Sequence, residues 1–344
     1  MLTGGTDVSH VVLYGLGGTI AMGARTGGGV APALTPEQLL AAVPGLADTG
    51  IIIDVVDFRQ VPGASVSLAD LDLLAREIEV SVAGGTDGIV VTQGTDTIEE
   101  SAYLLDIGYA GAAPVVVTGA MRNPTMAGAD GPANLLAALK VAASPLARDL
   151  GCLVVFADEV HAARRVRKTH ATSIGTFRSP NGGPLGYVAE GRLTLFSRLD
   201  HRTVLPRGDR PAKVGLVTLA MDDDGEVLSL LADRVDGLVI AGYGAGHVPV
   251  GLVDVIAELA SRLPVVLASR TGAGTTLTAT YGFPGSERDL LARGLIAAGY
   301  LDPFKSRLLL HRLLSVGADR AAVLAAFGVA GGYRDPADWP WPAR

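Results

Sequence analysis

Three polar segments carry side chains that could do chemistry, and each follows a short apolar run. The segments are Gly15–Ala21 with Thr19, Thr92–Ser101 with Thr95 and Asp96, and Arg164–His170 with Lys168. An amine placed in a desolvated cleft could serve as a base. Because ligands of open α/β sheets bind at the carboxyl ends of the strands, one sheet edge could gather all three segments.

The glycine-rich turn Gly15–Ala21 has two interpretations. A dinucleotide-binding turn is disfavoured, because Ile20 stands where a third glycine belongs and no acidic residue ends a second strand at the usual distance. The alternative is that the glycines let the backbone approach a small substrate while Thr19 projects from the end of the strand. A lone Gly-Gly-Thr turn is more often structural than catalytic.

The second segment has the spacing of a helix start. Thr97 and Glu100 stand three residues apart, as in a capping box. Free backbone N–H groups and the positive end of the helix would then lie beside Thr95 and Asp96, where a carboxylate or an oxyanion could bind. The structural alternative, which the segment alone favours, is that Asp96 and Thr97 simply cap the helix.

The third segment, Arg164–His170, is ordinarily interpreted as a solvated basic face. Lys168 becomes a candidate base only if the fold places it in a cleft. Other site types find no support, because the sequence has neither a G-x-S-x-G elbow nor a Walker loop, and its six histidines lack metal-ligand spacing. We therefore expect no metal and no cofactor.

Short β-rich runs alternate with helical stretches in the first part of the chain. The predicted strands are Val11–Gly15, Ile51–Phe58, Gly88–Thr92, Pro114–Thr118 and Cys152–Ala157. The predicted helices are Thr35–Val43, Leu68–Ala83, Thr97–Tyr109 and Gly131–Ala143. This alternation, with continuously apolar strands, predicts a parallel sheet covered by helices on both faces.

A second α/β region follows a break in the pattern. Gly191–Pro211 lacks apolar periodicity and is interpreted as a linker after a β-hairpin. Beyond it we predict strands at Lys213–Leu219, Gly237–Ala241 and Pro264–Ser269, and helices at Val250–Arg262, Ser286–Ala298 and Pro303–Val316. The predicted fold is α/β with two domains: a larger one over residues 1–205 with a mostly parallel sheet, a linker over 206–212, and a smaller parallel-sheet domain over 213–344.

Composition limits the partners. The chain has 344 residues, of which 49% are apolar and 18% charged, and its formal charge is −7 without a long basic run, which disfavours nucleic acid and anionic membranes as partners. No apolar stretch approaches a membrane span of roughly 20 residues. A single cysteine, Cys152, excludes a disulfide within the chain. With no secretory signal pattern at the N-terminus, we expect a cytoplasmic location.

Taken together, several short segments resemble the bacterial L-asparaginase/glutaminase family. The matching stretches are Gly17-Gly-Thr19-Ile-Ala21, Gly94-Thr-Asp-Thr-Ile-Glu-Glu-Ser101, Gly119-Ala-Met-Arg122, Ala129-Asp-Gly-Pro132, Lys168-Thr169, Phe177-Arg-Ser179, Gly183-Pro-Leu-Gly-Tyr187 and Lys305-Ser-Arg-Leu308. Each is modest by itself, but they run in the family's order over most of the chain, which makes the set highly specific.

The resemblance implies a mechanism and an assembly. Thr19 would attack the side-chain amide carbon and form an acyl-enzyme, while Thr95, Asp96 and Lys168 would handle protons. The backbone at Gly94, next to Thr95, and at Ala120 would stabilise the oxyanion. In the family such sites lie where domains of two subunits meet, within a homotetramer built as a dimer of dimers, and the substrate is a small amide.

The residues that the family uses to hold the amino acid are less well matched. Its lid tyrosine is missing from Ala24–Pro32. Its Ser-Gln pair falls on Gly63 and Ala64, with Ser65 or Ser67 as nearby substitutes. Its partner-subunit glutamate has no clear equivalent in Gly274–Gly282, where Tyr281 lies closest, and the asparagine before it becomes His247. Either other residues hold asparagine, or the substrate is a different small amide, imide or lactam.

Three functions follow from these observations. The leading hypothesis is hydrolysis of L-asparagine to L-aspartate and ammonia. The second is hydrolysis of another small amide, imide or lactam by the same threonine machinery. The third is a non-catalytic ligand-binding relative, against which the joint retention of Thr19, Thr95, Asp96 and Lys168 argues.

Overall fold

The computed structural model describes residues 8–24, 30–32 and 34–341. The chain divides into two compact units, the first ending at Asp200 and the second beginning at His201. Each unit is built on a sheet of mostly parallel strands with flanking helices, which confirms the predicted α/β fold class. Over the same residues, no helix is both long enough and apolar enough to cross a lipid bilayer.

The first unit is a large sheet with helices and small hairpins around it. Its strands are β1 His10–Gly15, β2 Met22–Ala24, β3 Val30–Pro32, β4 Ile52–Asp57, β5 Gly88–Thr92, β6 Val115–Thr118, β7 Cys152–Phe156, β8 Glu159–Ala162, β9 Arg167–Lys168, β10 Phe177–Arg178, β11 Gly186–Ala189 and β12 Arg192–Leu195. Its helices are α1 Pro36–Ala41, α2 Leu68–Ala83, α3 Ile98–Gly108 and α4 Gly131–Ala142.

The order of the strands determines where a ligand site can lie. Within the described part of the first unit, eight strands form one sheet in the order β12-β11-β8-β7-β6-β5-β1-β4. Strands β4, β1, β5, β6 and β7 are parallel. The chain leaves β1 for β4 on one side and returns to β5 on the other. The crevice between the carboxyl ends of β1 and β5 is therefore the topological switch point, where open α/β sheets bind ligands.

Helices cover both faces of this sheet because its strands are apolar on both sides. On one face, Val11 and Leu13 of β1 belong to a buried cluster that includes Leu39 of α1 and Leu135 of α4. On the other face, the Tyr14 hydroxyl donates a hydrogen bond to the Glu77 carbonyl oxygen of α2, at 3.1 Å. Alternating side chains of one strand thus reach different helical layers, as the pleat requires.

Helix α2 illustrates how local sequence determines an element. Ser67 accepts a hydrogen bond from the Asp70 amide, and the Asp70 carboxylate accepts one from the Ser67 amide, so a complete capping box starts the helix. Leu71, Leu74 and Ile78 then lie on one buried stripe at the spacing expected for a helix. Ser67, considered above as a substrate-binding substitute, is occupied by this cap.

The second unit has its own parallel sheet. Its strands are β13 Val214–Thr218, β14 Gly237–Gly242, β15 Val265–Ser269 and β16 Ile296–Ala297, and they are ordered β13-β14-β15-β16. Its helices are α5 Glu226–Leu231, α6 Val253–Arg262, α7 Glu287–Ala292, α8 Pro303–Ser315 and α9 Arg320–Ala330. One face of the sheet packs on α6 through Ile256 and Leu259, within a cluster that also contains Ile240 and Leu267.

Two of the predicted boundaries are wrong. The segment interpreted as a linker from Gly191 contains β12, which pairs with β11 across a tight turn where Glu190 and Gly191 both have positive φ. The helix predicted over Ser286–Ala298 ends at Ala292, because Gly294 adopts a φ of 98° and the chain reverses into strand β16. Helices α5 and α9 were not among the predicted elements.

Candidate active site

The turn after β1 positions Thr19. Gly17 and Gly18 have φ values of 87° and 84°, which residues with a side chain disfavour. They bring the chain off the end of β1 into a single 3-10 turn, Thr19–Ala21, in which Ile20 and Ala21 are buried and Thr19 is partly exposed. The glycines therefore serve the local geometry, and Thr19 is the polar residue left at the surface of the turn.

The turn after β5 holds Thr95 and Asp96. Thr95–Thr97 form a 3-10 turn that leads directly into α3, so the positive end of that helix lies beside both residues. Thr95 is buried, with 5% of its surface exposed, whereas the Asp96 side chain is exposed. A buried hydroxyl and an exposed carboxylate thus stand next to each other at the carboxyl edge of the sheet.

The predicted capping box at this helix is wrong. The Thr97 side chain caps no amide of α3. Its hydroxyl instead donates to the Gly63 carbonyl oxygen at 2.8 Å and accepts from the Gln93 side-chain nitrogen Nε2 at 3.2 Å. Thr97 therefore bonds the turn that contains Gly63, which is distant in sequence and which the residues next to Thr97 do not reveal. The hydroxyl therefore joins the turn after β5 to the turn after β4.

Close backbone packing joins the turns after β1, β4 and β5. A Cβ atom at Gly18 would lie 2.1 Å from the Gly94 nitrogen, and one at Gly63 would lie 2.6 Å from the Gly94 carbonyl oxygen. Each of these glycines allows contact that a methyl group would prevent. Gly18 and Gly94 directly precede Thr19 and Thr95, so the two threonines follow residues in van der Waals contact.

Lys168 reaches this edge from strand β9. Its ammonium nitrogen lies 2.9 Å from Thr95 Oγ1 and 2.9 Å from Asp96 Oδ1, and it donates to both. Its side chain is 15% exposed, so the basic segment around it is not the solvated face that its composition suggests. Lys168 is 73 positions from Thr95 and 72 from Asp96 in the chain, so the fold brings two distant segments together.

The turn after β6 brings Ala120 to the same edge. Ala120 is buried and its turn is held by Asp130, whose carboxylate accepts hydrogen bonds from the Met121 and Arg122 amides at 3.1 and 2.8 Å. Asn134 donates to the Gly119 carbonyl oxygen at 3.0 Å. The polar residues of this turn and of the start of α4 therefore fix the backbone at Ala120.

The remaining substrate-binding candidates of the first unit lie after β4. Gly63–Ser65 form a 3-10 turn in which Gly63 is buried against Gly94 and both Ala64 and Ser65 are exposed. Of these three, only Ser65 has a polar side chain to offer a ligand. The expected lid segment, Ala24–Pro32, is covered only in part, because residues 25–29 lie outside the described residues.

The candidates of the second unit form a separate patch. The His247 ring makes edge contacts with Tyr281 and Phe283, at centroid distances of 4.8 and 5.1 Å. Its Nε2 lies 3.4 Å from a carboxylate oxygen of Glu287, a residue that the sequence analysis missed. Glu287 lies five residues beyond the segment Gly274–Gly282 and is the next acidic residue along the chain.

Glu287 is an ionised group held inside the protein. Its side chain is fully buried and accepts hydrogen bonds from the Thr280 and Tyr281 amides at 2.8 and 2.7 Å. Burial acts to raise the pKa of this carboxyl, but the hydrogen bonds from the Tyr281 and Thr280 amides and the nearby His247 outweigh it and lower the pKa below its usual value. Histidine and aromatic rings therefore cover a buried carboxylate.

Metal-binding groups are not a feature of this site. Throughout the part of the chain that the structure describes, no group of three or more His, Cys, Asp or Glu side chains could hold a metal ion. The chemistry available at the switch point comes from hydroxyls, one carboxylate, one amine and backbone N–H groups.

Comparisons with known proteins point to one family. A family model described as Asparaginase, N-terminal, matches residues 10–201, and one described as Glutaminase/Asparaginase C-terminal domain matches residues 213–327. A probable L-asparaginase of Deinococcus radiodurans is 37% identical over 326 residues, covering 93% of this chain and 98% of the relative. L-asparaginase 2 of Escherichia coli is 35% identical over 338 residues, covering 92% of each chain. The crystal structure of a probable cytoplasmic L-asparaginase from Campylobacter jejuni matches with a TM-score of 0.83 at 31% identity, covering 93% of this chain and 99% of that one.

Proposed function

The chain belongs to the asparaginase family, and from this membership we propose that it hydrolyses the side-chain amide of L-asparagine to L-aspartate and ammonia. The observation that carries the proposal is the contact of the Lys168 ammonium with Thr95 Oγ1 and Asp96 Oδ1, at 2.9 Å each. An amine, a hydroxyl and a carboxylate in this arrangement can move protons beside a bound amide.

The reaction runs in two steps on Thr19. The Thr19 oxygen bonds to the amide carbon as its proton passes to the group formed by Thr95, Lys168 and Asp96. The amide nitrogen takes a proton and leaves as ammonia, which leaves an ester on Thr19. A water molecule then adds to the ester carbon, the bond to Thr19 breaks, and aspartate is released with the threonine hydroxyl restored.

Negative charge on the amide oxygen needs donors as the tetrahedral intermediate forms. We assign this role to backbone N–H groups at Gly94, next to Thr95, and at Ala120, with support from the start of α3. Both turns are stiff, because Gly94 is enclosed by neighbouring backbone and the turn of Ala120 is held by Asp130. Donors fixed before the reaction cost little reorganisation when the charge develops.

Recognition of the amino acid involves both units in this proposal. Gly63, Ala64 and Ser65 lie on the turn after β4 and would face the substrate's α-groups. His247 and Tyr281 of a second subunit, with Glu287 behind them, would complete the site within a homotetramer. The support for this part is the family resemblance and the buried carboxylate beside His247. The proposed location is the cytoplasm. The Campylobacter jejuni relative is named a probable cytoplasmic L-asparaginase, which supports this part of the proposal.

A second candidate function is hydrolysis of a small amide without an α-ammonium. Glu287 favours it, because its carboxylate is fully buried behind His247 and is occupied by two backbone amides. A carboxylate so placed is less available to a substrate ammonium, and an ammonium without compensation is costly to desolvate. The threonine chemistry would be the same for either substrate.

Ammonia release from a panel of amides tests the proposal. We expect turnover of asparagine or of its desamino analogue succinamate, and a loss of about 100-fold or more in Thr19→Ala, Thr95→Ala and Lys168→Met. Thr49→Ala is the matched control, because Thr49 bonds the Leu46 carbonyl oxygen at the opposite edge of the sheet. Folded Thr95→Ala and Lys168→Met proteins with the activity of Thr49→Ala would refute the mechanism.

A further inference from the structure

Strand β9, which carries Lys168, lies outside the main sheet. Among the described strands it pairs only with β10, in a two-stranded hairpin where Lys168 stands opposite Phe177 and Arg167 opposite Arg178. The ladder of the eight-stranded sheet therefore does not hold Lys168 directly. The position of its ammonium therefore depends in part on what anchors β10, beside the ion pair of Arg167 with Glu99 of α3 at 3.8 Å.

Side chains of β8 provide that anchor. Ser179 follows β10 directly, and its hydroxyl oxygen lies 3.0 Å from His161 Nδ1. The Arg178 guanidinium donates to Glu159 Oε1 at 3.0 Å. The other oxygen of Glu159 lies 3.2 Å from His161 Nε2. Two successive residues at the end of β10 are thus attached to two residues of β8, and through β8 to the main sheet.

The protonation of His161 follows from its surroundings. Its side chain has no exposed surface. Burial, and after it the positive charge of Arg178, lowers the pKa of His161 to about 4, so the imidazole is neutral near neutral pH. The carboxylate on the Nε2 side favours the proton there, which leaves Nδ1 to accept from Ser179. Ser179 is itself buried, so water does not replace this bond.

We propose that His161 and Glu159 are positioning residues for Lys168. They hold Ser179 and Arg178, and with them the hairpin, at the place where the Lys168 ammonium reaches Thr95 and Asp96. The inference rests on the proposed function, because Lys168 is assigned to proton transfer there. Neither residue touches the reacting atoms, and their effect passes through β10 to β9.

The size of the effect follows from the two short contacts of Lys168. Both are 2.9 Å, so a shift of the hairpin by about 1 Å breaks hydrogen-bond geometry at both partners. Misplacement of that size can reduce a rate about 100-fold. Substrate contacts from the turns after β1, β4 and β5 do not pass through the hairpin, so the loss should appear in kcat and not in KM.

The test compares removal of the anchor with its conservative replacement. His161→Leu removes the acceptor for Ser179, whereas His161→Asn keeps an acceptor oxygen near the position of Nδ1. We expect kcat to fall about 100-fold in His161→Leu with KM little changed, and to recover most of that loss in His161→Asn. Ser179→Ala, a milder change, should lower kcat as well. The double variant His161→Leu/Ser179→Ala should have a kcat no lower than that of His161→Leu alone.

A control and a second readout separate positioning from general destabilisation. Tyr14→Phe removes a buried hydroxyl from β1 and should lower thermal stability while leaving kcat unchanged. Acetylation of Lys168 by acetic anhydride, followed by mass spectrometry, should be several-fold faster in His161→Leu than in wild type or Tyr14→Phe.

The two proposals fail in different ways. A wild-type protein that releases ammonia from no amide contradicts the proposed function, and the acetylation rates then decide the positioning role by themselves. Folded Ser179→Ala and His161→Leu proteins with wild-type acetylation of Lys168 overturn the positioning role, and so does a wild-type kcat in both.

Discussion

Lowering the pH should destabilise this protein through His161. The histidine is fully buried, and its pKa falls from an ordinary 6.5 to about 4 in the folded chain. In that interval the unfolded chain binds a proton that the folded chain excludes. Stability is therefore complete above the ordinary pKa, falls as the pH drops through 6.5, and stops falling only below the folded pKa near 4.

The magnitude follows from the width of that window. Each pKa unit of difference is about 1.4 kcal/mol, and the step from 6.5 to about pH 5 spans roughly 1.5 units. Between about pH 7 and about pH 5, His161 alone should then remove on the order of 2 kcal/mol from the free energy of unfolding. The partly buried carboxylate of Glu159 and the Arg178 guanidinium are the charged groups facing the ring.

The measurement is a double difference between wild type and His161→Asn. Urea unfolding at both pH values should be monitored by circular dichroism. Tryptophan fluorescence would not report on His161, because both tryptophans, Trp339 and Trp341, lie in the second unit. Carboxylates that titrate in the same range are shared by both proteins and cancel. Equal losses of stability in the two proteins on acidification would contradict the reasoning, since the variant has no group to titrate at this position.

Three further predictions concern packing, assembly and substrate. Gly18→Ala should lower the free energy of unfolding by several kcal/mol, seen as a lower melting temperature, because its Cβ would lie 2.1 Å from the Gly94 nitrogen. The control Gly50→Ala has a φ of 68° but open space, so it should lower the free energy of unfolding by only about 1 kcal/mol. Equal losses in the two variants would argue against tight packing of the turns. Light scattering at assay concentration should find an oligomer, expected to be a tetramer, and an active monomer would refute a shared site. The KM for asparagine should be higher in this protein than in the Escherichia coli relative, since the Glu287 carboxylate is buried beside His247. The ratio of kcat/KM for succinamate to kcat/KM for asparagine should also be higher than in that relative. Micromolar KM for asparagine with no succinamate turnover would reveal an amino-acid clamp elsewhere.

Local sequence was sufficient to predict the bounds of an element where a buried face or a helix cap determines them. Gly88–Thr92 and Leu68–Ala83 have the predicted bounds, because a continuous apolar run suits a buried parallel strand and a serine cap starts an amphipathic helix. The helix predicted through Gly294 is wrong, since a periodic apolar pattern does not reveal a glycine with positive φ. The family resemblance is confirmed by models that match both parts of the chain.

Site residues were harder to judge from their neighbours in sequence. Thr97 has the spacing of a cap, yet its hydroxyl bonds the Gly63 carbonyl oxygen. Lys168 stands in a basic run that resembles a solvated face, yet it is only 15% exposed and contacts Thr95. Glu287 lies just beyond the segment that the resemblance indicated, and its partner His247 is 40 positions away, so no neighbour in sequence marks it.

The sequence by itself determined where β1, β5 and β6 end, because a buried apolar run followed by a glycine-containing turn leaves few choices of local structure. It thereby placed Thr19 and Thr95 after strands. Only the tertiary structure decided that β1 and β5 are neighbours at the switch point and that a separate hairpin returns Lys168 to them. Contacts between residues about 70 positions apart depend on the order in which strands pair and on side chains such as His161 that hold a hairpin in place. Strand order results from the packing of whole layers, and no local pattern of residues encodes it.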